Sequence, residues 1–186
     1  MGVCAIQLQK NLWVVATTAL AYVGLLSFNQ FIFSSFNASA ASSLVFLPSG
    51  LGLVCVLLFV EWGSLGMALG ALLMGLGQMH TEDPITVLGA AVLSGLAPLL
   101  ARALCLRLAA FEENLQGLTA ACLLRMTVAF AAVSALLHQV WFVARGQGGD
   151  VWGALALHFT GNLLGALVVL YSAKLVLDRL PQLSRG

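Results

Sequence analysis

The chain has 186 residues, of which 61% are hydrophobic and only 8% are charged. A soluble domain carries roughly a quarter charged residues, so this sequence cannot cover a surface that faces water and predicts an integral membrane protein. The formal net charge is +1, and the sequence has no basic cluster interleaved with aromatic residues, which excludes a nucleic-acid-binding protein. No polar stretch is long enough for a kinase, a cyclase or another soluble output domain. We therefore expect residues 1–186 to form a single integral membrane domain.

Six apolar runs predict an all-α, six-helix transmembrane bundle in a lipid bilayer. They cover residues 12–28, 43–60, 65–79, 85–104, 118–143 and 151–170. A spanning helix needs about 20 residues, with a lower limit of about 17, so the third run either includes the flanking Gly63 and Ser64 or is re-entrant. The first run precedes the cleavage-like sequence Ala38-Ser39-Ala40, but it is longer than the apolar core of about 7–15 residues in a signal peptide. We expect it to be a retained helix.

The charge distribution predicts the orientation of this bundle. Six crossings place both termini on one side of the membrane. Most of the basic residues lie at one set of helix ends, and only Arg145 lies at the other set. The residues at the first set are Lys10, Arg102, Arg107, Lys174, Arg179 and Arg185. Cytoplasmic ends carry an excess of Lys and Arg. We therefore expect an N-in, C-in protein of the bacterial inner membrane.

The last two runs form a hairpin that carries the histidines of greatest interest. His138 and His158 lie ten residues on either side of Gly148 in the connecting turn. At about 1.5 Å per helical residue, both imidazoles should therefore lie at a similar depth. An ionisable side chain inside the bilayer costs free energy, so each of them is a functional candidate.

Two further polar residues share helix faces with these histidines. Asn162 follows His158 by four residues, and Ser134 precedes His138 by four, so each pair lies on one face of its helix. We expect the four side chains to converge on a cavity open to the outside. Asp150 or His80 is expected at its rim.

Three interpretations of this cavity remain open. The polar side chains could simply join the helices by hydrogen bonds, each contributing about 0.6 kcal/mol. They could form a ligand-binding or proton-sensing site, because histidine changes charge between about pH 5 and 8. A metal or bis-imidazole haem site is the third interpretation, but no third ligand has suitable spacing. The sequence therefore predicts no metal site and identifies no cofactor.

The sequence Pro48-Ser49-Gly50 marks the outer end of the second run. Proline restricts the residue before it and glycine frees the backbone, so a helix should start or break here. Ser49 is expected to cap that helix. The alternative is that the exposed N–H groups of a helix N-terminus bind an anion.

Arg125 lies seven residues into the fifth run, about 220° around the helix from His138 at 100° per residue. It therefore belongs to a different face from the candidate site. An arginine this close to a helix end can extend its guanidinium to the interface. The alternative is a pairing with Glu61 or Tyr171.

Small residues predict where helices pack closely. Gly66 with Gly70, and Gly161 with Gly165, form GxxxG steps, which allow close approach of helix backbones in lipid. Contacts within one bundle are the preferred interpretation, and a homo-oligomer through these glycines is the alternative. The cysteines contain no CxxC pair and are interpreted as small packing residues; they are Cys4, Cys55, Cys105 and Cys122.

Two stretches carry a family resemblance. The sequence Leu47-Pro48-Ser49-Gly50-Leu51-Gly52-Leu53 resembles the opening, and Gly161-Asn162-Leu163-Leu164-Gly165 a late helix, of the membrane-associated sensor (MASE-type) domains of bacterial signalling proteins. Together they bracket about 125 residues, from Phe46 to Leu170. Those domains usually have Asp where this chain has Asn162, have about eight helices, and are fused to a kinase or cyclase. The resemblance implies a stand-alone sensor that signals through a separate membrane or cytoplasmic partner.

The sequence thus predicts a non-enzymatic sensory or regulatory module that binds an external signal or partner and relays it through helix packing. The first alternative is the substrate-binding subunit of a small-solute or metal transporter that works with a separate ATPase. The second is an assembly factor or accessory subunit of a larger membrane complex. An enzyme is not expected, because no embedded acid–base cluster, activated serine or phosphate-binding loop can be identified.

Overall fold

The computed structural model describes residues 2–33, 44–108 and 119–183 of the chain. These residues form five helices and no strand: α1 (Gly2–Phe33), α2 (Pro48–Leu76), α3 (Pro84–Arg107), α4 (Ala120–Ala144) and α5 (Val151–Leu183). Each helix contains a stretch long and apolar enough to cross a membrane. The predicted all-α membrane architecture is therefore confirmed at this level.

The described residues form five helical elements, and the predicted six separate helices are not confirmed, because the second and third apolar runs are joined in α2 across a kink. The sequence pattern placed a break at the polar residues 61–64, yet these residues are helical. The interruption is instead confined to Val60, whose backbone has φ 45° and ψ −110°. The other helices also extend beyond their predicted ends, α1 to Phe33 and α5 to Leu183.

The chain reverses direction at Val60. A Cβ atom added to Gly63 would lie 2.5 Å from the carbonyl oxygen of Cys55, and one added to Gly52 would lie 3.0 Å from Cε of Met67. In a straight helix the latter pair, fifteen residues apart, would be about 22 Å apart. We call residues 48–59 the first arm of α2 and residues 61–76 the second arm. At 1.5 Å per residue the arms are about 18 and 24 Å long, each shorter than the hydrocarbon core of about 30 Å.

The second arm packs between α1 and α3 through small residues. Gly66 lies against Thr18, and Gly70 lies against Tyr22, so α1 runs parallel to this arm. A Cβ at Gly95 would lie 2.6 Å from the carbonyl oxygen of Ser64. The Gly66–Gly70 step therefore serves a contact within the chain.

The first arm is the central element of the bundle. Its buried residues form one apolar cluster with residues of α3, α4 and α5; the members are Leu53, Val56, Leu57, Ala97, Ala101, Cys105, Met126, Phe130 and Ala166. These buried side chains contribute many weak van der Waals contacts, which together stabilise the packing of the helices. Because α3, α4 and α5 all pack against this arm, its position fixes how these three helices lie relative to one another.

A set of polar contacts, the α3–α4 polar cluster, joins the start of α3 to the end of α4 through Asp83, Thr86, Trp141 and Arg145. The Asp83 carboxylate caps α3 by accepting from Thr86 N at 2.9 Å, and it forms an ion pair with Arg145 at 2.8 Å. The Trp141 indole N–H donates to Thr86 O at 3.0 Å, and its ring occupies the space that a side chain at Gly89 would need. The backbone hydrogen bond from Thr86, followed by those from Arg145 and the Thr86 hydroxyl, holds the pKa of Asp83 below its ordinary value.

Candidate functional site

A cavity of about 260 Å³ lies at the centre of the bundle and is lined by residues from all five helices. Its walls include the rings of Tyr22, Phe46, Phe130 and Phe142. Its polar lining divides into a floor on the first arm, α4 and α5, and a mouth near the connections that follow α2 and α4. The floor contains Ser49, Ser134, His138, His158 and Asn162; the mouth contains Gln78, Glu82 and Gln147.

The two histidines meet at the floor, as the equal-depth argument predicted. Their ring centroids are 4.9 Å apart and the ring planes are inclined by 37°. Nδ1 of His138 lies 2.9 Å from Ser134 O, and because a carbonyl only accepts, this nitrogen carries the proton. The Ala90 carbonyl also lies beside the His138 ring. His138 is therefore oriented by backbone groups.

His158 differs from its neighbour in its partners. Within the described residues it accepts and donates no hydrogen bond, and its one ring contact is with His138. It is half-buried and lines the cavity. Of the two imidazoles, His158 is consequently the one open to a ligand.

Asn162 and Ser134 complete the predicted convergence. Asn162 Nδ2 donates to Ser134 Oγ at 3.2 Å, and Asn162 is only 1% exposed. This hydrogen bond joins α4 to α5, so the interpretation of helix bonding applies to this pair. Both residues also line the cavity, so the same side chains bound a space that can hold a ligand.

Ser49 lies at the floor but does not cap α2. The N-cap is Leu47, with no side-chain capping hydrogen bond, and Ser49 lies inside the first turn. Its hydroxyl faces two carbonyls, Phe46 O and Asn162 O, each at 2.7 Å. The expectation of a capping serine is therefore wrong, because Pro48 occupies the first helical position and the N-cap is Leu47, two residues before Ser49.

The N-terminus of the first arm is also poorly suited to an anion. Ser49 N donates to Phe46 O and Gly50 N donates to Leu47 O, each at 3.1 Å. These N–H groups are the ones that would otherwise face a bound anion. Since the chain itself occupies them, the anion interpretation loses its donors.

The position of the floor depends on the short non-helical segment that precedes α2 and is held between α1 and α5. Phe46 N donates to Gly161 O at 2.9 Å, and Leu47 N donates to Asn29 Oδ1 at 2.9 Å. Gly165 lies directly beside the Phe46 carbonyl, where a Cβ atom would overlap it. Sequence reasoning missed Asn29 and Phe46; the polar Asn29-Gln30 pair near the end of an apolar run was the signal for the former.

The mouth contains different residues from those predicted. Glu82 Oε2 accepts from Gln147 Nε2 at 3.1 Å. Neither Asp150 nor His80 lines the cavity, so that expectation is wrong. Asp150 instead accepts from Gly153 N at 3.0 Å at the start of α5, which directs its carboxylate to a helix end.

Arg125 lies away from the cavity and is exposed. Within the described part of the chain, the ion pair of Arg145 with Asp83 is the only one found, so Arg125 is not paired with Glu61. It makes no hydrogen bond to Tyr171 among these residues either. Its position on the outer face of α4 agrees with a guanidinium that reaches the interface.

The described residues contain no group of three or more His, Cys, Asp or Glu side chains that could hold a metal ion. Comparison of the chain with protein-family models, with curated proteins and with solved structures finds no match. The fold and the site define a helical membrane protein with a central cavity that has apolar walls and a polar floor.

Proposed function

We propose that the protein is a non-enzymatic sensory or regulatory module whose cavity binds a small external ligand. The observation that carries this proposal is the cavity of about 260 Å³ with His158, Asn162 and Ser134 at its floor. Protein interiors are close-packed and contain few voids larger than a water molecule. Small-molecule sites are typically concave and apolar with a few polar groups that fix orientation. This cavity has that composition.

The proposed orientation is N-in and C-in, with α2 starting and ending at the same end of the bundle because its two arms run in opposite directions. Helix directions place most basic residues at the end of the bundle that contains Val60; they are Lys10, Arg102, Arg107, Arg125 and Lys174. Arg145 lies at the opposite end, where its charge is paired with Asp83. The bias of basic residues towards the cytoplasm supports this orientation in a bacterial inner membrane. The cavity mouth then faces the outside.

The proposed relay runs through the first arm. A ligand at the floor contacts α4 and α5, and the Ser49 hydroxyl bonded to Asn162 O couples α5 to the start of this arm. The arm leads directly to the bend at Val60 on the cytoplasmic side. A change in its packing would therefore alter the surface around Glu61 and Trp62, where a separate partner protein would detect it. The resemblance to MASE-type sensor domains supports this assignment.

The test combines a filled cavity with site-specific photocrosslinking. A crosslinking amino acid at Trp62, which is 37% exposed, should capture the partner in cells. Ala71→Phe places a ring in the cavity that Ala71 lines, and it should change the yield of capture. Leu69→Phe on the exposed face of the same arm is the matched control. If capture at Trp62 is the same in both variants, the relay from cavity to cytoplasmic surface is refuted.

The same outward cavity would also suit the substrate-binding subunit of a solute transporter. Uptake of a labelled solute that depends on a coexpressed ATPase, and that Ala71→Phe abolishes, would favour that alternative. Capture of a kinase or cyclase at Trp62 would favour the sensor.

A further inference from the structure

The charges that line the cavity are of one sign. Among the described residues that line the cavity, Glu82 is the only carboxylate and none is Lys or Arg. A carboxylate or phosphate ligand would find no lysine or arginine in this lining, and Arg145 beside Thr86 is already paired with Asp83. Moving an unpaired charge out of water costs several kcal/mol. A cation, in contrast, would find Glu82 at the mouth, where the cost of removing water is smallest.

The walls and the floor favour the same kind of ligand. The cavity is lined by Tyr22, Phe46, Phe130 and Phe142, and aromatic side chains pack favourably against an aromatic ring of a ligand. At the floor, no hydrogen bond to His158 or to Oδ1 of Asn162 comes from the described residues. The imidazole ring and the amide oxygen can each accept a hydrogen bond from an N–H of the ligand.

The depth of the cavity sets the length of the ligand. Ser134 lies at the floor, and ten residues of helical rise lead from it to the end of α4 at Ala144, which corresponds to about 15 Å at 1.5 Å per residue. A two-ring molecule with a short side chain spans most of this depth. Its ring would lie on the floor and its charged end would reach Glu82.

We propose that the ligand is a small aromatic amine, with its ammonium group at Glu82 and a ring N–H at the floor beside His158 and Asn162. This proposal rests on the proposed function, since it names the class of ligand that the sensory cavity takes. It also predicts selectivity: the amine should bind better than a neutral alcohol of the same shape, and much better than the corresponding carboxylate.

Three indole probes of similar shape and different charge test the proposal on the whole protein in lipid nanodiscs. The probes are tryptamine, tryptophol and indole-3-propionate. Their Kd values are measured by titration calorimetry. The heat measured with the filled-cavity variant Ala71→Phe gives the contribution from partition of the probe into lipid. We expect tryptamine to bind about tenfold more tightly than tryptophol, which corresponds to about 1.4 kcal/mol, and indole-3-propionate to bind most weakly. Glu82→Gln should remove the advantage of tryptamine over tryptophol. Glu61→Gln, at the other end of the bundle, should leave it unchanged.

The outcomes separate this proposal from the proposed function. Equal binding of all three probes, or tighter binding of the carboxylate, would overturn the assignment of an amine while leaving a small-molecule cavity. Binding to wild type that does not exceed binding to Ala71→Phe would overturn both. His158→Phe should weaken tryptamine and tryptophol by the same factor, because their ring N–H groups are identical. A loss confined to tryptamine would overturn the placement of its ring at the floor.

Discussion

Replacing Gly165 by Ala should damage the floor of the cavity through a single added methyl group. The Cβ atom would overlap the Phe46 carbonyl, which is backbone and cannot rotate away as a flexible side chain would. The segment that precedes α2 must therefore move away from α5. This movement stretches two hydrogen bonds, Phe46 N to Gly161 O at 2.9 Å and Ser49 Oγ to Asn162 O at 2.7 Å.

The expected change in the free energy of unfolding follows from the cost of overpacking, the two weakened hydrogen bonds and the helix propensity of alanine. Overpacking of a tight site costs about 1–3 kcal/mol, and polar interactions between membrane helices contribute about 0.6 kcal/mol each on average. The better helix propensity of alanine returns about 1 kcal/mol. We therefore expect the free energy of unfolding to fall by about 1–3 kcal/mol.

The assay is reversible unfolding in mixed micelles, compared with Gly24→Ala as the control. Gly24 also lies inside a helix, but a Cβ atom there would have no neighbour within 4 Å, so this variant should be neutral or slightly stabilised. Gly165→Ala should in addition lose most of its tryptamine binding, if tryptamine is a ligand of the wild type. If Gly165→Ala unfolds like Gly24→Ala, the close approach of Phe46 to α5 does not stabilise the bundle.

Three further predictions concern the bend at Val60 and the α3–α4 polar cluster. Val60 has the positive φ of the first central residue of a type II′ turn, where glycine is favoured. Val60→Gly should therefore raise the free energy of unfolding by about 1 kcal/mol. A lower stability of this variant would argue against strain at the bend. Because the folded pKa of Asp83 is depressed, its contribution is present above the unfolded pKa of about 3.9 and is lost as the pH falls through the folded value. Wild type should therefore lose more stability in acid than Asp83→Asn, and parallel pH profiles for the two would contradict the role of this carboxylate. Gly89→Ala should displace the Trp141 indole from Thr86 O and lower the free energy of unfolding by about 1–3 kcal/mol. In a variant that lacks the other tryptophans, the displacement should appear as a red shift of Trp141 fluorescence. An unshifted spectrum would contradict the displacement.

The meeting of the histidines could be predicted from sequence because it depends on helix periodicity and a short turn. His138 and His158 are equidistant from Gly148, and the Ser134 and Asn162 positions follow from four-residue spacing. Helix geometry alone brings such residues to one depth and one face. Both helices also have strong apolar patterns, so their existence and approximate bounds were secure.

The bend at Val60 could not be predicted in the same way. A β-branched residue strongly disfavours a positive φ, so local sequence points to the polar residues that follow it. The contacts of Gly63 with Cys55 and of Gly52 with Met67 show that packing between the arms outweighs this local preference. The placement of Phe46 against α5 was missed for a related reason, since it is a long-range contact made by backbone atoms.

The non-helical segment before α2 also constrains the order in which the protein can assemble during synthesis. Phe46 and Leu47 donate to Gly161 and Asn29, so one of their two acceptors lies more than a hundred residues further along the chain. A peptide N–H without a partner in hydrocarbon costs several kcal/mol. When the first arm leaves the ribosome, α5 has not yet been translated, so the segment must wait near the interface or in the insertion machinery. The cavity is therefore completed only when the last helix arrives, and a nascent chain that lacks it has no floor on which to bind a ligand.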